Sequence, residues 1–171
     1  MIVPELVVTR GLPASGKSTW AARWVAAASA DRACVDRDSV RVMMHGRWIG
    51  TPEQEQQTSI VCHGAVLGLL RAGISVVAGD TNLDEAPDGH LTALWDIADR
   101  TRSSFRVVDF TAVPLEVCIE RDAARTGPDR VGADKIRDMW EQHLQGRPSP
   151  LPLPPLVRGI VEVPAELLTL G

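Results

Sequence analysis

The chain has 171 residues, of which 44% are apolar and 23% charged, with a formal net charge of −4. That length suits one domain with one sizeable core, and the composition excludes both a disordered chain and a disulfide scaffold. The acidic balance argues against a long electrostatic track for nucleic acid, though it leaves room for a pocket that holds one or two phosphates.

Residues 5–11, ELVVTRG, form a short β-branched run that ends in glycine, and a helix carrying Trp20 and Trp24 is expected from Lys17 onward. Residues 33–38, ACVDRD, read as a second short strand ending in charge. The helical spacing of 39–46 stops at Gly46. A longer helix over 51–73 has Thr51 as cap, Pro52 at its first position and Gly73 closing it. ISVVAGD, 74–80, is a near-continuous apolar run with no polar face until Asp80, so it should lie mid-sheet. A helix over 87–102 with Leu91, Leu94, Trp95 and Ala98 inward comes next, then a strand over 104–112. Helices over 114–125 and 132–146 are joined by the polar link 126–131. The prolines of 147–156 allow neither helix nor central strand, and 158–164 reads as a final strand.

Strands alternating with helices predict an α/β fold with a mostly parallel sheet of four to five strands, helices on both faces and ligands at the strands' C-terminal ends. Cys34, Cys62 and Cys118 are odd in number, widely spaced and set in apolar contexts, which reads as buried thiols in a reducing cytoplasm. The N-terminus lacks the pattern of a signal peptide and no apolar run approaches a membrane span, so the expectation is a cytoplasmic protein without a membrane partner.

The chemistry begins at Gly11-Leu-Pro-Ala-Ser-Gly16-Lys17-Ser18, which fits G-x-x-x-x-G-K-[ST] in full and lies between a strand and a helix. Gly11, Pro13, Ala14, Ser15, Gly16, Lys17, Ser18 and Thr19 are expected to bind the nucleotide, because the glycines let the backbone wrap closely around phosphates so that successive N–H groups and the helix dipole meet negative charge. Lys17 is expected to reach the β- and γ-phosphates of ATP or another NTP, and Ser18 to ligate Mg²⁺. The bland alternative is a glycine-rich turn with a solvated lysine. The sequence as a whole thus predicts a P-loop NTPase-type three-layer fold with a helical lid. Residues 1–146 are its kinase domain, and 147–171 form a Pro-rich connector and terminal strand of the same domain.

Asp80, ending a buried strand beside Thr81 and Asn82, has the place of a second metal-associated acid, or else of an ordinary turn residue. In VDRDSVR, Asp38 can serve as a base on an acceptor hydroxyl and Arg41 can hold an anion on that acceptor. The alternative is that Asp38 or Ser39 merely caps the helix. Arg121 and Arg125, one turn apart, belong either to a lid that closes on the γ-phosphate or to a solvated face laced with ion pairs. Trp20, Trp24 and Trp95 read as core, whereas Trp48 in a loop is a candidate for stacking on a base. No histidine shows metal-ligand spacing with the cysteines, and none is given a role.

Four stretches, GLPASGKSTWA, DRDSVR, GDTNL and the arginine helix followed by RVGADKIRDMW, together resemble the kinase module of bacteriophage-type and bacterial 5′-hydroxyl polynucleotide kinases. The resemblance runs from Leu6 to about Leu144. It implies Asp38 as general base on a 5′-OH of DNA or RNA and Arg41 on the phosphate 3′ to the accepting nucleoside. It also implies Arg121 and Arg125 on the donor's phosphates and Val131 against the terminal base. Asp36 receives no role from it. A separate phosphatase or ligase partner is a further implication, because such modules are often fused to the kinase. Two rival readings remain, a small-molecule kinase of the same architecture and an ATP-dependent end-binding module without turnover.

Overall fold

The computed structural model describes residues 3–46 and 50–167. Its strands are β1 (Glu5–Arg10), β2 (Arg32–Val35), β3 (Ser75–Ala78), β4 (Ser104–Asp109) and β5 (Ile160–Glu162). Its helices are α1 (Lys17–Ala26), α2 (Arg37–His45), α3 (Pro52–Arg71), α4 (His90–Thr101), α5 (Leu115–Ala123) and α6 (Ala133–His143), with 3₁₀ turns at Gly127–Asp129 and Ala165–Leu167.

The five strands pair in parallel in the order β2-β3-β1-β4-β5. β1 is central, with Val7 opposite Val77 on one side and Arg106 on the other. Side chains alternate across the sheet as the two-residue period of a strand requires. Leu6, Val8, Val76, Ala78, Phe105 and Val107 pack against Val66 and Leu70 of α3 and Leu91, Leu94 and Ala98 of α4. On the other face Val7, Val77, Val108 and Phe110 meet Ala21 and Trp24 of α1, Cys118 of α5 and Ile136 of α6. Helices thus cover both faces, and the chain turns from one side of β1 to the other at the crevice above its C-terminal end, where such sheets bind ligands.

The helix signals act as their residue types require. Thr51 caps α3 in a full capping box with Gln54, and Pro52 sits at the first turn. Two starts differ from the sequence reading. α4 begins at His90 rather than Pro87, because Asp84 accepts the Ala86 N–H at 2.9 Å and holds 84–86 as a turn. α2 begins at Arg37, two residues early, because Asp36 and not Asp38 or Ser39 takes the cap: its Oδ1 accepts the Ser39 N–H at 2.8 Å. The thiols also divide, Cys62 and Cys118 being buried and Cys34, near the end of edge strand β2, exposed. Trp24 is buried, while Trp20 and Trp95 are half-buried against the core, Trp95 edge-on to Phe105 with centroids 5.5 Å apart.

The proline-rich stretch is anchored. Arg10 and Asp109, at the ends of β1 and β4, form an ion pair with both side chains wholly buried. Arg10 also donates to the carbonyls of Leu151 and, at 3.1 Å, Pro152, and Asp109 accepts the Leu151 N–H at 3.3 Å. Leu151 then joins the α1 side of the core and Leu153 and Val157 the α3 side. A pair buried this deeply persists only when its remaining hydrogen-bonding groups are satisfied, and here the strap satisfies them.

Candidate active site

The phosphate-binding loop rises from β1 in a conformation that its glycines permit. Gly11 has φ 151°, and a Cβ there would stand 2.9 Å from Phe110 Cβ. Gly16 has φ 106° and precedes α1. Ala14 holds a left-handed φ of 61° without glycine's freedom, a local strain of the kind found at ligand sites. The loop is braced from behind, with Gly11 N–H donating to Thr81 O at 2.9 Å and Asn82 Nδ2 to Thr9 O at 2.8 Å. Thr81 and Asn82 of the GDTNL stretch therefore support the loop.

Lys17 is only 7% exposed. Its Nζ donates to Gly11 O at 2.8 Å, Leu12 O at 2.5 Å and Ser15 Oγ at 3.3 Å, so the ammonium folds back on its own loop. Burial, the largest influence, lowers its pKa to about 8. Asp80, Arg125 and Asp38 all lie close enough to act on the same ammonium, the two carboxylates raising its pKa and the guanidinium lowering it. Candidate residues from β3's end, α2 and the lid thus converge on one lysine. Ser18 and Thr19, on the first turn of α1, are exposed, and Pro13 is half-buried.

Asp80 lies two residues past β3, with Oδ1 accepting the Arg37 N–H at 3.1 Å and Oδ2 3.4 Å from His90 Nε2. A metal shared by Ser18 and Asp80 fits Mg²⁺. Both supply hard oxygens, and Mg²⁺ retains several waters and binds through one or two protein groups together with substrate phosphates. No group of three or more His, Cys, Asp or Glu able to cage an ion exists among the described residues.

With Asp36 occupied as the cap, the Asp38 side chain is free of that duty and 62% exposed. Partial desolvation raises its pKa, Arg41 opposes this, and Asp80 and Asp36 reinforce it. Arg41 contacts Asp38 through Nη1 and holds Glu55 of α3 through Nε at 2.5 Å and Nη2 at 2.9 Å. Arg37 shares Glu55, also at 2.9 Å, and the two guanidiniums, Arg41 foremost, pull the Glu55 carboxyl down to about 2. Glu55 was not apparent from sequence, since a glutamate in the first turn of a capped helix is ordinarily a dipole partner.

Arg121 ends α5 and Arg125 lies just past it. Both line a cavity of about 340 Å³ with Ser15, Gly16, Thr19 and Trp20, so they face the loop. Arg125 donates to Asp129 O at 3.3 Å and lies 3.9 Å from Asp122. Asp122, buried at the end of α5, accepts the N–H groups of Val131 at 3.0 Å and Gly132 at 2.8 Å. One carboxylate thereby closes the lid link and delivers the chain into α6. Val131 is half-buried, its side chain packed at the edge of the core on that face. Trp48 lies outside the described residues.

Comparison with solved structures finds the same fold. A chain of the "Pnkp1/Rnl/Hen1 complex" aligns at 26% identity and a TM-score of 0.57, over 74% of this chain and 40% of that one. A chain of the "Pnkp1/Rnl/Hen1 RNA repair complex" aligns at 22% identity and a TM-score of 0.59, over 92% and 50%. This chain thus spans half or less of the length of either. The Mycobacterium tuberculosis APS kinase CysC in complex with AMPPNP and APS aligns at 14% identity and a TM-score of 0.58, over 96% and 91%. No curated protein sequence matches. No helix among the described residues is long and apolar enough to cross a membrane. The fold is that of P-loop kinases, and the family model described as an AAA domain matches residues 6–150, so the chain belongs to that family.

Proposed function

We propose that this chain is an ATP-dependent polynucleotide 5′-hydroxyl kinase that transfers the γ-phosphate of ATP to the 5′-OH of DNA or RNA, in nucleic acid repair. The observation that carries the reading is the arrangement at α2. Asp36 takes the cap, which leaves the exposed Asp38 carboxyl free of that duty and paired with Arg41, its charge reaching Lys17. A base next to a guanidinium suits an acceptor that has both a hydroxyl and a neighbouring phosphate. The likeness to a chain of the Pnkp1/Rnl/Hen1 complex supports the same reading.

In this mechanism the cavity under Arg121 and Arg125 takes the nucleotide, and the loop's N–H groups and Lys17 take its β- and γ-phosphates. Arg41 holds the phosphate 3′ to the accepting nucleoside, Val131 packs on the terminal base, and Asp38 accepts the 5′-OH proton as that oxygen bonds to the γ-phosphorus. The bond from the γ-phosphorus to the bridging oxygen breaks, leaving ADP. Arg125 and Lys17 meet the charge that shifts onto the phosphoryl oxygens and the leaving group, where preorganised cations act most strongly. Mg²⁺, held by Ser18 and Asp80, would neutralise phosphate charge and orient the donor. The reading takes 147–171 as part of the same domain, which the contacts of Arg10 and Asp109 with Leu151 and Pro152 support, and a separate phosphatase or ligase is the partner that the repair role implies.

The likeness to an APS kinase favours a second reading, a kinase with a small-molecule acceptor. Labelled ATP with a panel of 5′-OH oligonucleotides, nucleoside 3′-monophosphates and plain nucleosides separates the two. Labelling of the oligonucleotides and 3′-monophosphates is expected. Equal labelling of the plain nucleosides would move the small-molecule reading ahead.

A further inference from the structure

Behind Asp80 lie two histidines that the mechanism above does not use. His90 opens α4 and His63 lies within α3, and both are half-buried where these helices meet. Their rings are stacked within 15° of parallel, with centroids 4.9 Å apart, His63 Nε2 is 2.9 Å from His90 Nδ1, and His90 Nε2 is 3.4 Å from Asp80 Oδ2. The chain of contacts permits one neutral arrangement of protons. Facing a carboxylate, His90 Nε2 must carry its proton, so Nδ1 is bare and accepts a hydrogen bond from the His63 Nε2–H. Burial, aided by the neighbouring His90 and Arg37, lowers the pKa of His63 and keeps it in the neutral form that this arrangement needs.

We propose that His63 and His90 are positioning residues for Asp80: His63 fixes the tautomer of His90, and His90 holds the carboxylate in the orientation from which it serves the metal shared with Ser18. Asp80 is then gripped on both oxygens, Oδ1 by the first N–H of α2 and Oδ2 by the first side chain of α4. Each oxygen keeps a lone pair for a metal-bound water. Partners of this kind commonly change metal affinity by about 10- to 100-fold. The inference rests on the proposed metal role of Asp80.

The test uses the full chain and calorimetric binding of ADP across a Mg²⁺ series, with His90→Ala, His90→Gln and Asp80→Ala. His90→Ala should raise the Mg²⁺ needed for half-maximal enhancement of ADP binding by about 10-fold and leave metal-free ADP binding unchanged. His90→Gln, whose amide N–H can reach where Nε2–H stood, should restore most of the loss. If Asp80→Ala shifts the Mg²⁺ requirement and His90→Ala does not, the relay is wrong and the role of Asp80 stands. If Asp80→Ala shifts nothing, the role of Asp80 fails first. Imidazole ¹⁵N spectra of the wild-type protein give an answer that survives poor folding of a variant. Each ring should carry a proton on Nε2, and a proton on Nδ1 of His90 would overturn the proposal.

Discussion

Replacing Lys17 with methionine should make the empty protein more stable while removing its response to nucleotide. Burial lowers the lysine's pKa from 10.5 to about 8, a difference worth roughly 3 kcal/mol against the charged form. Between those values the unfolded chain holds a proton that the folded chain does not, so stability rises with pH from about 8 to 10.5. Below pH 8 the penalty is fully present. Methionine keeps most of the buried stem and removes the charge, but leaves Gly11 O and Leu12 O without their donor, a loss of about 1–2 kcal/mol. The net expectation near pH 7 is a gain of about 1–2 kcal/mol that shrinks as pH rises above about 8 and is gone by about pH 10. Urea unfolding of both proteins at pH 7 and pH 10, with and without Mg²⁺ and ATP, measures this. Wild type should be stabilised by the nucleotide and Lys17→Met should not. A variant that is less stable at both pH values, or that ATP still stabilises, would refute the assignment of a desolvated, phosphate-seeking lysine.

Asp38→Asn should lower turnover by about 10²–10⁴ with little change in ATP affinity or melting temperature, whereas Asp36→Ala should cost about 1 kcal/mol through loss of the cap. The reverse pattern, read by steady-state kinetics and thermal melts, would return Asp38 to a structural role. Arg125→Ala should lower turnover more than nucleotide affinity, because its work lies in the transition state, and unchanged turnover would place it on a solvated face. Arg41→Lys should damage phosphorylation of a nucleoside 3′-monophosphate, since an ammonium reproduces neither the two-pronged hold on phosphate nor the one on Glu55. With one or two phosphates gripped, acceptor affinity should fall with a log–log salt slope of only about −1 to −2, and a much steeper slope would point to an extended track.

The order of elements was legible because each carries its own local signal. Gly11 and Gly16 take the conformations that their spacing announced, Thr51 and Pro52 start α3, and the unbroken apolar run 74–80 lies inside the sheet between β2 and β1. What sequence could not supply is pairing at a distance. Glu55 lies 14 residues from Arg41, Asp109 lies 99 from Arg10 and His90 lies 27 from His63. None of these residue types is unusual where it stands, so only the folded register reveals the contact. The cap at α2 failed for a subtler reason. Asp36, Asp38 and Ser39 are all good capping residues within four positions, and propensity alone does not rank them.

The cations of the site share one condition that bears on how binding energy becomes rate. In the empty protein Lys17 rests on loop carbonyls, Arg41 on Glu55 and Asp38, and Arg125 on the Asp129 carbonyl. Each must exchange these partners, at least in part, when phosphates arrive, so each returns less affinity than a bare cation would. The exchange is not uniform along the reaction. A carbonyl is a weaker partner for an ammonium than a phosphate, and a phosphate whose charge is being redistributed is a stronger partner still. Ground-state binding is therefore discounted by the old contact, while stabilisation of the transition state gains from the new one. That differential accelerates the chemical step, where equal tightening of both states would not. Glu55 shows how the exchange is limited. By keeping Nε and one edge of Nη2 of Arg41 it fixes the guanidinium plane. On the proposed mechanism a phosphate would displace only the Asp38 contact on Nη1, and the same displacement would release the carboxylate proposed as base, so that acceptor binding and activation of the base would be one event at α2.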